Sequence, residues 1–343
     1  MIRHSYLVRR QWLGASVVGL LLAAFALPAA AAEQNASKLL GPDSCKDCHK
    51  QAFAVWDHTR HALSRDTLSR PEAQRIREAK SIKIASDEGE ACATCHATPK
   101  QDGKKLKLVA GVSCESCHGA AADWIKVHSN FGAGKTAATE TPEHRDERLG
   151  ASMAAGLLRP VNIYRVVQNC FQCHTAPDEA LVNGGGHSAG SALEIVAWSQ
   201  GAIRHNFTSA TDGQNAEASI ERRRQLYVVG QIAEMEFALR RLATSTTDGL
   251  FAKALVAKAK EAVAALTKIQ GLVKVPEIAT IVKAATAAKL GPGPANATAL
   301  VTAADAISTA GQDFVDQAYT KELAALDSLL PPASSYKGTP FRQ

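Results

Sequence analysis

Hydrophobic and polar positions alternate in two different ways along this chain. From about residue 216 to 343, apolar residues recur three and four positions apart, in long runs rich in Ala, Leu, Val and Lys. That is the period of amphipathic helices. The first predicted helix spans about Ser219 to Ala243, and the second runs from near Asp248 to about Ile269. A third follows Pro276, a residue suited to the first helical position, and ends near Leu290-Gly291. Gly291-Pro-Gly-Pro294 breaks the pattern. The last helix is expected from about Asn296 towards Leu330, stopped by Pro331-Pro332. Such a set predicts a small helical bundle. Residues 33 to about 215 read differently: they are rich in Gly, Asn, Ser and Thr, with short helical runs and little apolar sequence for a core. The expected fold is mainly α, with domains at 33–215 and 216–343.

The first 32 residues have a third pattern. Arg3, Arg9 and Arg10 precede an apolar run from Trp12 to about Leu27, then Pro28 and Ala30-Ala31-Ala32 before Glu33. This is the layout of a secretory signal peptide with a small-residue cleavage site. The run is long enough for an uncleaved anchor, but the proline and small residues at its end favour cleavage. Val8-Arg-Arg-Gln-Trp-Leu13 is only faintly like a twin-arginine signal. No cysteine precedes Cys45, so no lipoprotein anchor is expected. The expected location is the periplasm.

All eight cysteines fall in one five-residue pattern that occurs four times. The runs are Cys45-Lys-Asp-Cys48-His49, Cys92-Ala-Thr-Cys95-His96, Cys114-Glu-Ser-Cys117-His118 and Cys170-Phe-Gln-Cys173-His174. C-x-x-C-H is the attachment signature of c-type haem. Two thiols one helical turn apart add to the vinyl groups, and the adjacent imidazole becomes the proximal iron ligand. A zinc site would not need a histidine after every pair. A redox dithiol or a disulfide framework would not repeat in this form. The reading is therefore four covalently bound c-type haems and a haem-organised N-terminal region. That region is expected not to fold without haem, as metal-dependent domains do not fold when empty.

Charge adds little. The chain carries +6; without residues 1–32 it has 36 basic and 33 acidic side chains, or +3, and haem propionates would make it negative. Nucleic-acid binding is not expected. Gly132-Ala-Gly-Lys-Thr136 resembles the end of a phosphate loop, but position 129 is Ser where that motif needs Gly. It reads as a solvent loop.

Function turns on the second axial position of each iron. A filled position favours electron transfer, and an open one permits chemistry on a small molecule. Six histidines after residue 32 lie outside the motifs: His58, His61, His128, His144, His187 and His205. His58 and His61 lie about one turn apart on one helix face, so only one of them is expected to reach an iron. His128 ends a short helix after the third motif. His187 follows Gly184-Gly-Gly186, which would let the backbone approach a haem face. His205 lies in Arg204-His-Asn-Phe207. His144, in the charged run Glu143-His-Arg-Asp-Glu-Arg148, reads as a solvated face and not a ligand. Met153 and Met235 are weaker candidates.

Together these features resemble the tetrahaem cytochrome c-554 family. The resemblance rests on four C-x-x-C-H runs in comparable order and on Trp56…His61-Ala after the first. It rests too on Cys-Glu-Ser-Cys-His-Gly followed by His128, and on the later Gly-His and Arg-His-Asn stretches. It covers residues 43 to about 210 and leaves out the helical tail. The resemblance implies that His61, His128 and one of His187 or His205 cross over to haems other than their sequence neighbours. It also implies closely stacked haem pairs. In the family the second haem can be five-coordinate; the extra histidines here point away from that.

The expected function is an exported electron carrier or relay with mostly bis-histidine haems. The alternative is an oxidoreductase acting on a small nitrogen or oxygen species at one five-coordinate haem. No motif replaces its histidine with lysine, as a multihaem nitrite reductase would. A third reading is a structural subunit that docks a larger redox complex through the tail. Expected partners are periplasmic or membrane-bound redox proteins, with homo-oligomerisation open. The tail, lacking Cys and His, is expected to be separable: a chain ending near Ala210 should keep its haems and spectrum.

Overall fold

The computed structural model describes residues 35–79, 90–176, 178–207, 213–317, 319 and 321–342. The expected export signal, residues 1–32, lies outside them. The chain is mainly helical. Four helices come first: α1 (Asp43–Lys46), α2 (Lys50–Asp57), α3 (Pro71–Ala79) and α4 (Glu90–His96). An antiparallel hairpin follows, β1 (Thr98–Asp102) and β2 (Lys105–Ala110). Then come α5 (Cys114–His118), α6 (Ile125–His128), α7 (Pro142–Ala154), α8 (Ile163–His174), α9 (Glu179–Asn183) and α10 (Ile195–Ser199). The tail holds α11 (Ile220–Leu242), α12 (Leu250–Leu272), α13 (Pro276–Ala287) and α14 (Pro294–Asp316). Among the described residues no helix is long and apolar enough to cross a membrane.

The tail forms the expected bundle, and local chemistry explains its ends. Ser219 caps α11 by accepting the Arg222 N–H, and Pro276 and Pro294 open α13 and α14. The last helix is shorter than its periodicity predicts. It stops at Asp316, and the chain resumes as a 3-10 helix over Lys321–Leu329. The break turns Tyr319 back, so that its ring stacks on Phe314 at 5.8 Å and its hydroxyl donates to Glu277 Oε2 at 2.8 Å. It also carries Leu323 and Leu326 into the core, where both are fully buried.

The hairpin between the second and third motifs was not anticipated from the helical runs. Its turn uses Gly103 at φ +60°, and Leu108 on β2 packs against Ala93 and Ala97 beside the second motif.

One large apolar core is built around α11 and gathers Ile232, Met235 and Leu239 with Phe251, Leu266, Ile281 and Phe314. This core also takes in α8 through Ile163, Tyr164, Val167 and Phe171. Packing thus runs across residue 215, and the helix that ends in the fourth motif is anchored on the bundle. Among the described residues, the rest of the N-terminal region holds two small apolar clusters: Ala93, Ala97 and Leu108, and Ala121, Trp124 and Leu157.

Candidate functional site

Each C-x-x-C-H run coincides with a helical turn. The first straddles the end of α1, the second ends α4, the third is α5, and the fourth ends α8. Residues three apart on a helix share a face, so each turn presents its two thiols together.

Contacts between runs set their order in space. The Cys45 and Cys114 thiols of the first and third runs interact, which lowers Cys45 to about 7 and pushes Cys114 up. The buried Glu115 carboxylate reinforces this contact, accepting N–H groups of Leu40 at 3.0 Å, Gly41 at 2.7 Å and Ala121 at 2.8 Å. Asn169 of α8 donates to the Cys117 carbonyl at 3.1 Å, joining the third run to the fourth. The Cys173 thiol meets Cys95 and donates to the Thr94 carbonyl at 3.6 Å, joining the fourth to the second. The order is first, third, fourth, second.

The histidines form a regular set. His49 faces His128 with ring centroids 6.2 Å apart, and His61 faces His174 at 6.1 Å. His96 faces His187 at 6.3 Å, and His118 faces His205 at 6.2 Å. Each motif histidine therefore meets one of the four candidate distal histidines, contributed by a different segment. Both His187 and His205 take part, and His96 of the second run has a facing ring like the others. His58 does not: its ring stacks on Phe341 at 3.6 Å. Nor does His144, whose Nδ1 lies 2.6 Å from Glu140 Oε1. Met235 is in the bundle core.

Each facing histidine is held by its own local device. His61 follows α2 in a tight turn. Ser64 Oγ lies 2.7 Å from the His61 carbonyl and 2.9 Å from the His96 carbonyl, and accepts the Val112 N–H at 2.9 Å. Gly111 passes so close that a Cβ there would lie 2.2 Å from the His61 carbonyl oxygen. His128 ends α6, and Arg148 of α7 donates to its carbonyl at 2.5 Å. Arg148 is itself gripped by Glu140 through two bonds of 2.6 Å and lies over Phe131. The glycines before His187 make its turn: Gly186 has φ +75°, and His187 N–H donates to the Leu181 carbonyl at 3.0 Å. His205 follows α10, where the Asn215 side chain accepts the Asn206 N–H at 2.9 Å and donates to the Arg204 carbonyl at 2.7 Å.

For five of these rings burial favours the neutral form. Burial lowers His61, His96, His118 and His128, and brings His174 to about 4, with the facing His61 adding to the effect. A neutral imidazole is the metal-binding form. Hydrogen bonds at Nδ1 select the nitrogen left free. Carbonyls of Leu158, Ser188 and Ile203 lie 2.8, 2.9 and 2.8 Å from Nδ1 of His118, His187 and His205. His96 Nδ1 lies 3.0 Å from Thr67 Oγ1, whose own proton goes to the Ser64 carbonyl, so the imidazole donates. A carbonyl or a hydroxyl oxygen so placed requires Nδ1–H, which leaves the Nε2 lone pair for a metal.

Haem fits these residues. Metal–imidazole bonds of about 2 Å on either side put two ring centroids about 6 Å apart, matching all four pairs. Trp124 Nε1, His128 Nδ1 and Arg204 Nε are buried beside the pairs with no protein partner, which suits a group not made of protein. Cys45, Cys48, Cys92, Cys95, Cys114, Cys117, Cys170 and Cys173 would hold the porphyrins, and the facing histidines the irons.

Residues 44–119 match the family of cytochrome c554 and c-prime. The match spans the first three runs and stops before the fourth. Neither a curated protein nor a solved structure matches the chain. The matched segment is similar to that family of c-type cytochromes, in which covalently bound c-type haem serves electron transfer.

Proposed function

We propose that this chain is an exported tetrahaem relay in which each iron lies between two imidazoles. The observation that carries the reading is that all four motif histidines face a second histidine at 6.1–6.3 Å. The assignment is His49 with His128, His61 with His174, His96 with His187, and His118 with His205. When bound, each haem supplies a one-electron couple. The chain's own residues set its conditions. With haem bound, the paired imidazoles would both ligate the iron and so would keep small molecules from the metal. The Nδ1 acceptors at His96, His118, His187 and His205 would raise ligand basicity and fix ring orientation. Histidine at both positions lacks the thioether that raises potential, so low potentials are expected.

The contacts between runs support a wire in the order first, third, fourth, second, with its ends free for different partners. Those partners are redox proteins of the periplasm or its bounding membranes, reached after removal of residues 1–32. The oxidoreductase alternative needs a motif histidine with no facing ring, and none of the four lacks one.

Two measurements test the reading. Mass spectrometry under denaturing conditions is expected to give residues 33–343 plus four haem groups. Electron paramagnetic resonance of the oxidised protein is expected to show four low-spin irons. Alanine at His61, His128, His187 or His205 should turn one iron in four high-spin, and alanine at His58 or His144 none. A high-spin iron in the unaltered protein would instead favour the enzyme.

A further inference from the structure

We propose that the last residues of the chain, Tyr336 to Phe341, are a positioning strap that holds His205 opposite His118. The proposal rests on the paired-histidine reading above. Asn215 braces His205 from the C-terminal side; on the N-terminal side α10 is five residues long, and only the turn at 200–203 separates it from Arg204 and the histidine. The strap braces this second side. Lys337 N–H donates to the Ala197 carbonyl at 3.0 Å, and its carbonyl accepts the Ala202 N–H at 2.9 Å. One residue thereby joins the end of α10 to the turn that leads into His205.

The close approach depends on glycine. A Cβ on Gly201 would lie 2.5 Å from the Lys337 oxygen and 2.8 Å from its nitrogen. Gly338, at φ +77°, lies against Ala202. Both ends of the strap are pinned. Arg223 donates to the Tyr336 hydroxyl at 3.0 Å, which ties it to α11. Phe341 stacks on His58 at 3.6 Å with an interplanar angle of 4°. His58 lies three residues before His61. The strap therefore touches two segments that carry facing histidines, and His58 serves as its anchor and not as a ligand.

The test uses the secreted, haem-loaded protein and counts high-spin irons by electron paramagnetic resonance. His205→Ala sets the reference, one high-spin iron in four. A chain ending at Ser335 and the full-length Gly201→Ala variant should each produce that same signal, leaving the other three irons low-spin. Phe341→Ala should produce it in part of the population, and Phe341→Tyr should restore the low-spin state. A general loss of stability would not single out one iron. The two full-length variants carry the test if the shortened chain fails to mature. Four low-spin irons in Gly201→Ala and in the shortened chain, with the reference signal present in His205→Ala, would overturn the strap. Four low-spin irons in His205→Ala would remove the ligand assignment itself, and the strap with it.

Discussion

Single side chains here act through what they hold in place. Glu140 is the clearest case. The Arg148 guanidinium lowers its carboxyl to about 2, and His144 adds to the effect. The same arginine grips the His128 carbonyl, so the carboxylate supports that histidine at one remove. The folded value lies below the value of about 4.3 expected for an unfolded chain. Its contribution is therefore complete above about pH 5 and is lost as pH falls towards 2. Thermal melts of the haem-loaded protein and of Glu140→Gln should differ by a constant amount from pH 7 to 5. The gap should then narrow, to roughly half by pH 3. An equal gap at pH 3 and pH 7 would contradict this account. His144 was read from its charged surroundings as a residue apart from the irons, and it sits on Glu140.

Among the elements, α8 joins the two parts of the chain. One end carries the fourth motif and the other enters the bundle core. Tyr164 donates to the buried Glu236 of α11 at 2.7 Å, and Gln168 donates to the same oxygen at 2.8 Å. Arg240 neutralises that carboxylate at 2.8 Å and reaches Asp305 of α14 at 2.7 Å. Tyr164 fits only because α14 offers Gly311: a Cβ there would lie 2.5 Å from the ring carbon Cζ. Gly311→Ala should overpack this joint and cost about 1–3 kcal/mol. The shift in urea midpoint of the haem-loaded protein measures it. A midpoint equal to that of the unaltered protein would show that the ring moves aside freely.

At the scale of the whole molecule, the tail is less separable than its lack of Cys and His suggests. Ile163, Tyr164, Val167 and Phe171 of α8 bury against it, each at a stabilisation of about 1.5–3 kcal/mol. Asn215 and the strap at 336–341, which bracket His205, also lie beyond residue 210. A chain ending at Ala210 is therefore expected to lose the low-spin state of the iron at His118, and to melt at lower temperature. The absorption spectrum of that shortened protein, set beside the full chain, is the measurement. An unchanged spectrum would return the tail to a role apart from the haems.

Some of this was legible in the residues alone. Haem attachment needs two thiols and an imidazole within five consecutive positions, so the four C-x-x-C-H runs stand out in the sequence whatever the fold. The bundle helices were legible too, because burial of one helix face leaves a local period, and Ser219 and Pro276 mark two of their beginnings. The hairpin at 98–110 was hidden among charged residues. The pairing of rings was beyond the sequence, because it joins segments far apart in the chain. His58 and His61 are three residues apart and look alike in sequence. Gly111 and Ser64 place the second opposite His174, while Phe341 takes the first. Covalent chemistry is written in neighbouring residues. Coordination across a gap is set by which backbones pass close enough to hold two imidazoles about 6 Å apart, and only the folded chain decides that.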